Sequence, residues 1–388
     1  MTDIITLHNF FFAYLCKRSK PKKMSTKVLE NKLSFQKPHT EFYSVLKRRV
    51  DSYFTDNKIS DKANGAMILK TIVLFAMAVS CYGIVVWAPI PLWASAILCV
   101  FFGMVMAGIG FCVQHDANHG GYSNNKNVNY ILGLSLNVLG GNAFIWKVKH
   151  NINHHTYTNI EGYDDDIAKH PVFRFSPEQK LKWFHKFQYL YWIPMYSLSS
   201  IIWVVYSDYE KYFKGKVVKT SMPKMDTQEK IVFWVSKIVN LFIAIFIPAY
   251  FVGWSHAIIG FLLVHASLGY TLSLIFQLAH SVEGTEFPVP NDANLIEEEW
   301  AIHQVKTTAN FATDNKFINW YVGGLNFQIE HHLFPRVCHV HYTKISKIVE
   351  QTCKEFNIPY INHPTFFGSY ASHVKHLHNL GKAAIKAA

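Results

Sequence analysis

Charged residues are scarce in this chain, and acidic ones scarcest. Asp, Glu, Lys and Arg make up 16% of 388 residues while half are apolar, which excludes a disordered or fibrous polymer and argues against an ordinary soluble enzyme. Only 26 acidic residues stand against 38 basic ones, a net +12 that suits an anionic partner such as nucleic acid, a membrane surface or a charged substrate. Cysteine is equally thin. Cys16, Cys81, Cys99, Cys112, Cys338 and Cys353 form no Cys-x-x-Cys pair, and three lie in apolar runs. They read as buried thiols of a reducing compartment, not as a disulfide framework or zinc knuckles. The HExxH motif and the Glu-x-x-His pairs of ferritin-like bundles are missing. Gly108 and Gly110 open a GxG that Val113 leaves incomplete, so no nucleotide-binding signature is present either.

Long stretches lack basic residues altogether, with none between Lys70 and Lys126 or between Lys237 and Lys306. Residues 67–87 carry one charge, Lys70, and after Ala88-Pro89-Ile90-Pro91 residues 92–113 carry none. Residues 231–252 are apolar apart from Lys237, and residues 254–279 hold only His256 and His265 as ionisable groups. A helix needs about 20 apolar residues to cross a bilayer core. The pattern therefore predicts an all-α integral membrane protein with four transmembrane helices in two hairpins, and the basic excess is assigned to a membrane, not to nucleic acid. Both hairpin turns are free of positive charge, so the basic regions and both termini are expected in the cytoplasm, of a bacterial inner membrane or of the endoplasmic reticulum. Lys70 and Lys237, near the cytoplasmic helix ends, are expected to snorkel.

The expected organisation is a cytoplasmic N-terminal segment (1–66), a first hairpin (67–114), a cytoplasmic cap (115–230), a second hairpin (231–279) and a cytoplasmic C-terminal region (280–388). Residues 189–206 are short, interrupted by Pro194 and rich in Tyr and Trp, which suits a helix lying in the membrane plane. Residues 130–146 are short and glycine-broken and are assigned to the surface or the underside of the cap. The run LHNFFFAYLC precedes its basic cluster, the reverse of a secretory signal. Residues 1–23 therefore read as a disordered or interfacial extension, with Met24 as an alternative start.

Histidine is plentiful, 21 in all, and neutral imidazole is the commonest metal ligand. Three clusters stand out: His115-Asp116-Ala117-Asn118-His119, His150-Asn151-Ile152-Asn153-His154-His155 and Gln328-Ile329-Glu330-His331-His332. On a helix, His115 and His119 share a face, as do His150 and His154, and each pair can chelate one ion or reach two. A lone histidine is more often structural, and His39, His170, His185, His339, His341, His363, His373, His376 and His378 are left as surface or structural residues. The seven clustered ones share one predicted side of the membrane. They are too many for one first-row ion, so two ions are implied; imidazole without thiolate suits iron, zinc or copper.

HDANH, HNINHH and QIEHH, arranged around two apolar hairpins, resemble the three histidine boxes of membrane fatty-acid desaturases. HHTYTNIEGYDDDI (154–167), WAIHQVKTTANF (300–311) and NWYVGGLNFQIEHHLFP (319–335) extend the resemblance, which runs from about residue 40 to residue 360. The glutamine-headed third box is similar to that of the front-end branch (Δ5/Δ6, linoleoyl-CoA desaturase-like), which inserts a double bond between an existing one and the carboxyl end. The resemblance implies a helical cytoplasmic cap holding two iron ions on His115, His119, His150, His154, His155, His331 and His332. It implies O₂ as co-substrate and a cis double bond placed in a lipid- or CoA-linked acyl chain. It also implies an eighth ligand, His280 in FQLAHS, whereas His303 fits a supporting role at least as well as ligation.

Gln328 stands where the general pattern has histidine. Its amide can offer an oxygen to a metal or an N–H₂ to bound oxygen or a neighbouring ligand, so a catalytic role is assigned to it, on the face shared with His331. Asp116, Glu330 and Asp164-Asp165-Asp166 are candidates to hold ligand rings by their second nitrogen, the Asp run reading equally as a solvated loop. Glu297-Glu298-Glu299 reads as solvated or as a docking edge. Lys147, Lys149 and Arg336 either face an anionic headgroup or CoA phosphates or belong to the general positive-inside surplus. His170-Pro171 and His363-Pro364 lack the Gly-Gly of an HPGG haem core, so electrons are expected from a separate cytochrome or ferredoxin. The rival readings are a sphingoid-chain desaturase, a fatty-acyl hydroxylase and, from another class, a metal-binding membrane transporter, for which His256 and His265 are too few intramembrane groups.

Overall fold

The computed structural model describes residues 33–169 and 171–382. The expectations for residues 1–23, Cys16, Met24 and His170 lie outside the described residues. Helix α1 (Phe42–Asp56) precedes α2 (Gly65–Trp87), which starts where Asn64 Oδ1 accepts the Met67 N–H at 3.1 Å. Pro89 and Pro91 end α2 and open α3 (Leu92–His119), since neither can donate to a continuing helix. Helices α4 (Lys126–Val138) and α5 (Ala143–Tyr157) meet at 110°. After α6 (Gln188–Ile202) come α7 (Thr227–Val252), capped by Asp226, and α8 (Trp254–His280), set off by Gly253 at φ +84°.

Among the described residues, α2, α3, α7 and α8 are the helices long and apolar enough to cross a membrane unbroken. The apolar window of α3 is 56% buried inside the protein, against 22% for α2 and for α7, so α3 is the central helix. The outer flanks of the others carry exposed Leu69, Ile72, Val79, Ile238 and Ile259, as lipid contact requires. Close backbone approach explains two glycines: a Cβ at Gly103 would collide with Val264 O, and one at Gly269 would come within 2.8 Å of Ser197 O. The segment expected in the membrane plane is α6, and it packs across α8, with Ser200 Oγ donating to His265 O at 2.7 Å.

Beyond the four long helices lie α9 (Trp300–Lys306), α10 (Gln328–Leu333), α11 (Tyr342–Glu355) and α12 (Phe366–Lys382). Phe42, Leu46, Val50 and Phe54 recur every four residues on α1 and pack with Ile345, Val349 and Cys353 of α11 in one apolar cluster. Strand β1 (Ser34–Gln36) pairs in parallel with β2 (Leu295–Glu299).

Several expectations fail here because their partners are distant in sequence. Neither Lys70 nor Lys237 snorkels: each is 6% exposed and paired inside the protein, Lys237 Nζ with Asp208 Oδ2 at 2.7 Å and Gly140 O at 2.6 Å. Glu299 is not a solvated edge; it is buried and accepts the backbone N–H groups of His39 and Thr40 at 2.7 and 2.6 Å. Lys149 does not face a ligand but pairs with Asp166 at 2.7 Å and Asp165 at 3.4 Å. The five described cysteines are buried free thiols.

Candidate metal centre

Helix α3 reaches the first cluster through a π-helical turn, Gly110–Gln114, and His115–His119 forms its last turn. Gly120, at φ +75°, stops the helix there. The second cluster is carried by another π-turn, Val148–His154, within α5. The third is α10, and His280 is the last residue of α8. All eight histidines are buried, each at most 8% exposed.

They converge as two groups. Ligand-capable atoms of His115, His119, His150 and His331 lie within 4.8 Å of one another, and so do those of His154, His280 and His332. His155 stands between them, its ring 4.6 Å from His331 and 4.3 Å from His332, with its Nε2 3.3 Å from His150 Nε2. His150 and His154 share a face, as their spacing predicts: their rings stack at 5.1 Å, and from that face one reaches each group. His303 joins neither group and meets Phe35 edge-on at 4.9 Å.

The donors fit metal ions. Nε2 atoms face one another at 3.1 Å (His115 and His150) and 3.2 Å (His154 and His332). Two imidazoles bound side by side at about 2.0–2.1 Å from one ion stand roughly 3 Å apart. The Nε2 atoms of His119 and His331 are buried with no hydrogen-bond partner, a costly arrangement unless an ion accepts them. Burial, and then the charges of neighbouring imidazoles, hold His150, His155, His331 and His332 well below the ordinary histidine range, so all four are neutral and able to ligate. Burial also lowers His154, but Asp164, through charge and hydrogen bond, and then Asp166 outweigh it and raise the group.

The second ring nitrogens are held from outside. His154 Nδ1 donates to Asp164 Oδ2 at 3.1 Å, His332 Nδ1 to Gln304 Oε1 at 2.7 Å and His331 Nδ1 to the Tyr342 hydroxyl at 3.2 Å. The Asp run is thus buried beside the cluster and not a solvated loop. Gln304 and Tyr342 were not anticipated; the place of Gln304 beside His303 was the available signal. Trp146, stacked on His150 at 4.4 Å, was also missed. Asp116 serves none of the clustered histidines and binds His339 and Cys338 instead. Glu330 is buried, bound by Asn310 Nδ2 at 2.8 Å and Tyr360 Oη at 2.9 Å, and burial pushes its carboxyl up to about 7.

Gln328 lies against the second group, with Nε2 2.9 Å from His280 Nε2 and 3.3 Å from His332 Nε2. Its helical neighbour is therefore His332, four residues on, and not His331. Its Oε1 is buried without a partner.

Residues 91–364 match the fatty acid desaturase family model. The chain is 38% identical over 333 residues to an sn-1 linoleoyl-lipid 6-desaturase of Arthrospira platensis, covering 85% of this chain and 90% of that one. It is 37% identical to a protein of the same name from Synechocystis sp., over 88% of this chain and 96% of that one. Identity to an acyl-lipid (8-3)-desaturase of Physcomitrium patens is 36%, over 88% of this chain and 72% of that one. The chain belongs to the fatty acid desaturase family. It is an oxidoreductase that introduces double bonds into fatty acyl chains, and its helical fold with four apolar helices suits a membrane setting.

Proposed function

We propose that this protein is a front-end acyl-lipid desaturase holding two iron ions. The observation that carries the reading is the split of eight buried histidines into two groups joined by His155. His115, His119, His150 and His331 hold one ion, His154, His280 and His332 the other, and His155 lies at their boundary. The removal of two hydrogens from an unactivated –CH₂–CH₂– unit is a two-electron oxidation, which zinc, having no redox chemistry, does not support. When bound, the ions supply O₂ activation. O₂ takes up four electrons, two from the acyl chain and two from a donor, and leaves as two waters with two protons from solvent.

The chain's own residues do the rest. Asp164, Gln304 and Tyr342 fix three imidazole rings by their Nδ1 atoms, so that Nε2 faces inward. Gln328 presents an amide at the second group, able to donate a hydrogen bond to oxygen there. The names of the relatives support a glycerolipid-linked chain as substrate and insertion on its carboxyl side. Electrons come from a separate acidic carrier, cytochrome or ferredoxin, steered by the +12 chain. Both termini and the clusters face the cytoplasm, with the Lys- and Arg-free turns near Ala88 and Gly253 on the other side.

Expression in a host with simple lipids, followed by fatty-acid profiling and metal analysis, tests the reading. A new double bond on the carboxyl side of an existing one, with close to two irons per purified chain, is the expected result. A chain containing zinc and no iron, with no oxygen-dependent product, would contradict it.

A further inference from the structure

A cleft of about 390 Å³ opens between α2 and the segment that carries Asn319, Trp320, His339 and Thr343. At its floor is Lys70, 6% exposed. The ammonium donates to His339 Nε2 at 2.9 Å and lies 5.6 Å from the centre of the Trp320 ring. An ammonium has three N–H donors, and among the described residues these contacts use one of them in a hydrogen bond. A buried cation with open donors is costly unless something else accepts them. The mouth of the cleft lies beside Leu69 and Val73, which are exposed on the apolar flank of α2. A polar floor below an apolar mouth matches the junction between the oxygen-bearing end of a lipid and its acyl chain.

The floor is also wired to the metal centre. His339 Nδ1 donates to Asp116 Oδ2 at 2.8 Å, and Cys338 Sγ donates to the same oxygen at 3.0 Å. Asp116 follows His115 directly in α3. Its carboxylate balances the ammonium through the imidazole, so the site needs an oxygen acceptor more than a second full charge.

We infer that Lys70 binds the oxygen-bearing end of the acyl substrate, an ester carbonyl or a headgroup phosphate oxygen, and so sets how far the chain runs from its carboxyl end to the metal centre. The inference rests on the desaturase reading for its consequence, but not for its first test. Carboxyl-side insertion requires the headgroup to be held at a fixed place near the oxidising centre, and His339, which lines this cleft, is hydrogen-bonded to Asp116, the residue that follows the clustered His115.

Binding is read without turnover, on purified full-length protein in detergent, by native mass spectrometry with saturated phosphatidylglycerol and with saturated monogalactosyldiacylglycerol. The second lipid has ester carbonyls and no phosphate. Lys70→Met should weaken binding about tenfold, the value of one charge-assisted hydrogen bond, and Lys70→Arg should restore much of it. Thr343→Trp, which crowds the exposed rim and leaves the floor intact, should weaken it too, and covers the case in which Lys70→Met fails to fold. Loss for both lipids assigns the ester carbonyl; loss for phosphatidylglycerol alone assigns the phosphate. Unchanged binding of both lipids in both variants overturns the site, whatever the enzyme's activity. In cells, Lys70→Met should also spread the double bond over neighbouring positions. An unchanged position despite weakened binding overturns the distance-setting role.

Discussion

His331 and His332 are neighbours in the chain, yet their rings stand at 89° to each other with centroids 5.6 Å apart. Successive residues step about 100° round a helix, and that step delivers His331 to the group of His115, His119 and His150, and His332 to that of His154 and His280. One short helix thereby serves both groups. Replacing either residue by Ala should abolish turnover and lower iron from close to two to close to one per chain, measured by elemental mass spectrometry. Circular dichroism should show the helical fold retained in both. Two irons retained by both variants would mean that neither ring is a ligand.

Gln328 separates ligation from chemistry. Its amide nitrogen is 2.9 Å from His280 Nε2, while its oxygen has no partner. A neutral amide is a weaker ligand than imidazole for these ions. Gln328→Ala should keep most of the iron and lose most of the activity, whereas His332→Ala, one turn on, loses the activity and about half of the iron. Gln328→His should not restore turnover, because the ring is bulkier and aims its donor differently. Near-normal turnover in Gln328→Ala would remove any chemical role for the glutamine.

The four long helices and the histidine set were legible because the bilayer and the metal each admit few solutions. Apolar runs of the length at Leu92 and Trp254 have little alternative to a spanning helix, and no ordinary core collects seven histidines in three short clusters. What could not be read is the set of pairings across the chain. Asp116 meets His339 and Glu299 meets Thr40, partners separated by 223 and 259 positions, with no local signal. Periodicity held at residues 150–154, where the rings of His150 and His154 stack at 5.1 Å on one face despite the π-turn, and each contributes to a different group. Lys70 and Lys237 looked like snorkelling residues because composition reports that a charge lies in an apolar run, not which way it turns.

Glu330 gives stability a pH dependence. Burial raises its carboxyl from the usual glutamate range to about 7, against the opposing hydrogen bonds from Asn310 and Tyr360. The folded protein therefore holds a proton that the unfolded chain releases between about pH 4.3 and 7. The contribution is fully present below the unfolded value and is lost as pH rises through the folded one. In metal-free protein the loss from Glu330 opposes the gain from the buried neutral His150, His155, His331 and His332, whose unfolded forms take up protons below about pH 6.5. The melting temperature in detergent should therefore rise from pH 5 to 7.5, and Glu330→Gln should steepen that rise. An identical slope in the variant would assign the dependence to other groups.

Asp208 and Lys237 form a buried charge pair, 1% and 4% exposed at their side chains and 2.7 Å apart. Trp203 Nε1 also donates to Asp208 Oδ1 at 2.8 Å, and Lys237 Nζ also donates to Gly140 O, so each charge has a second partner. These contacts tie α7 to the extension of α6 and to the turn between α4 and α5. Removing one member leaves the other charge buried and unpaired, at a cost of about 3–5 kcal/mol, whereas removing both charges together costs far less. Asp208→Asn alone should therefore lower the melting temperature markedly, and Asp208→Asn with Lys237→Met should recover most of the loss. The pair is remote from the clustered histidines in sequence and contact, so iron content should stay near that of the unmodified protein in whatever fraction remains folded. A single variant as stable as the parent would show that water reaches the pair and that the bundle does not depend on it.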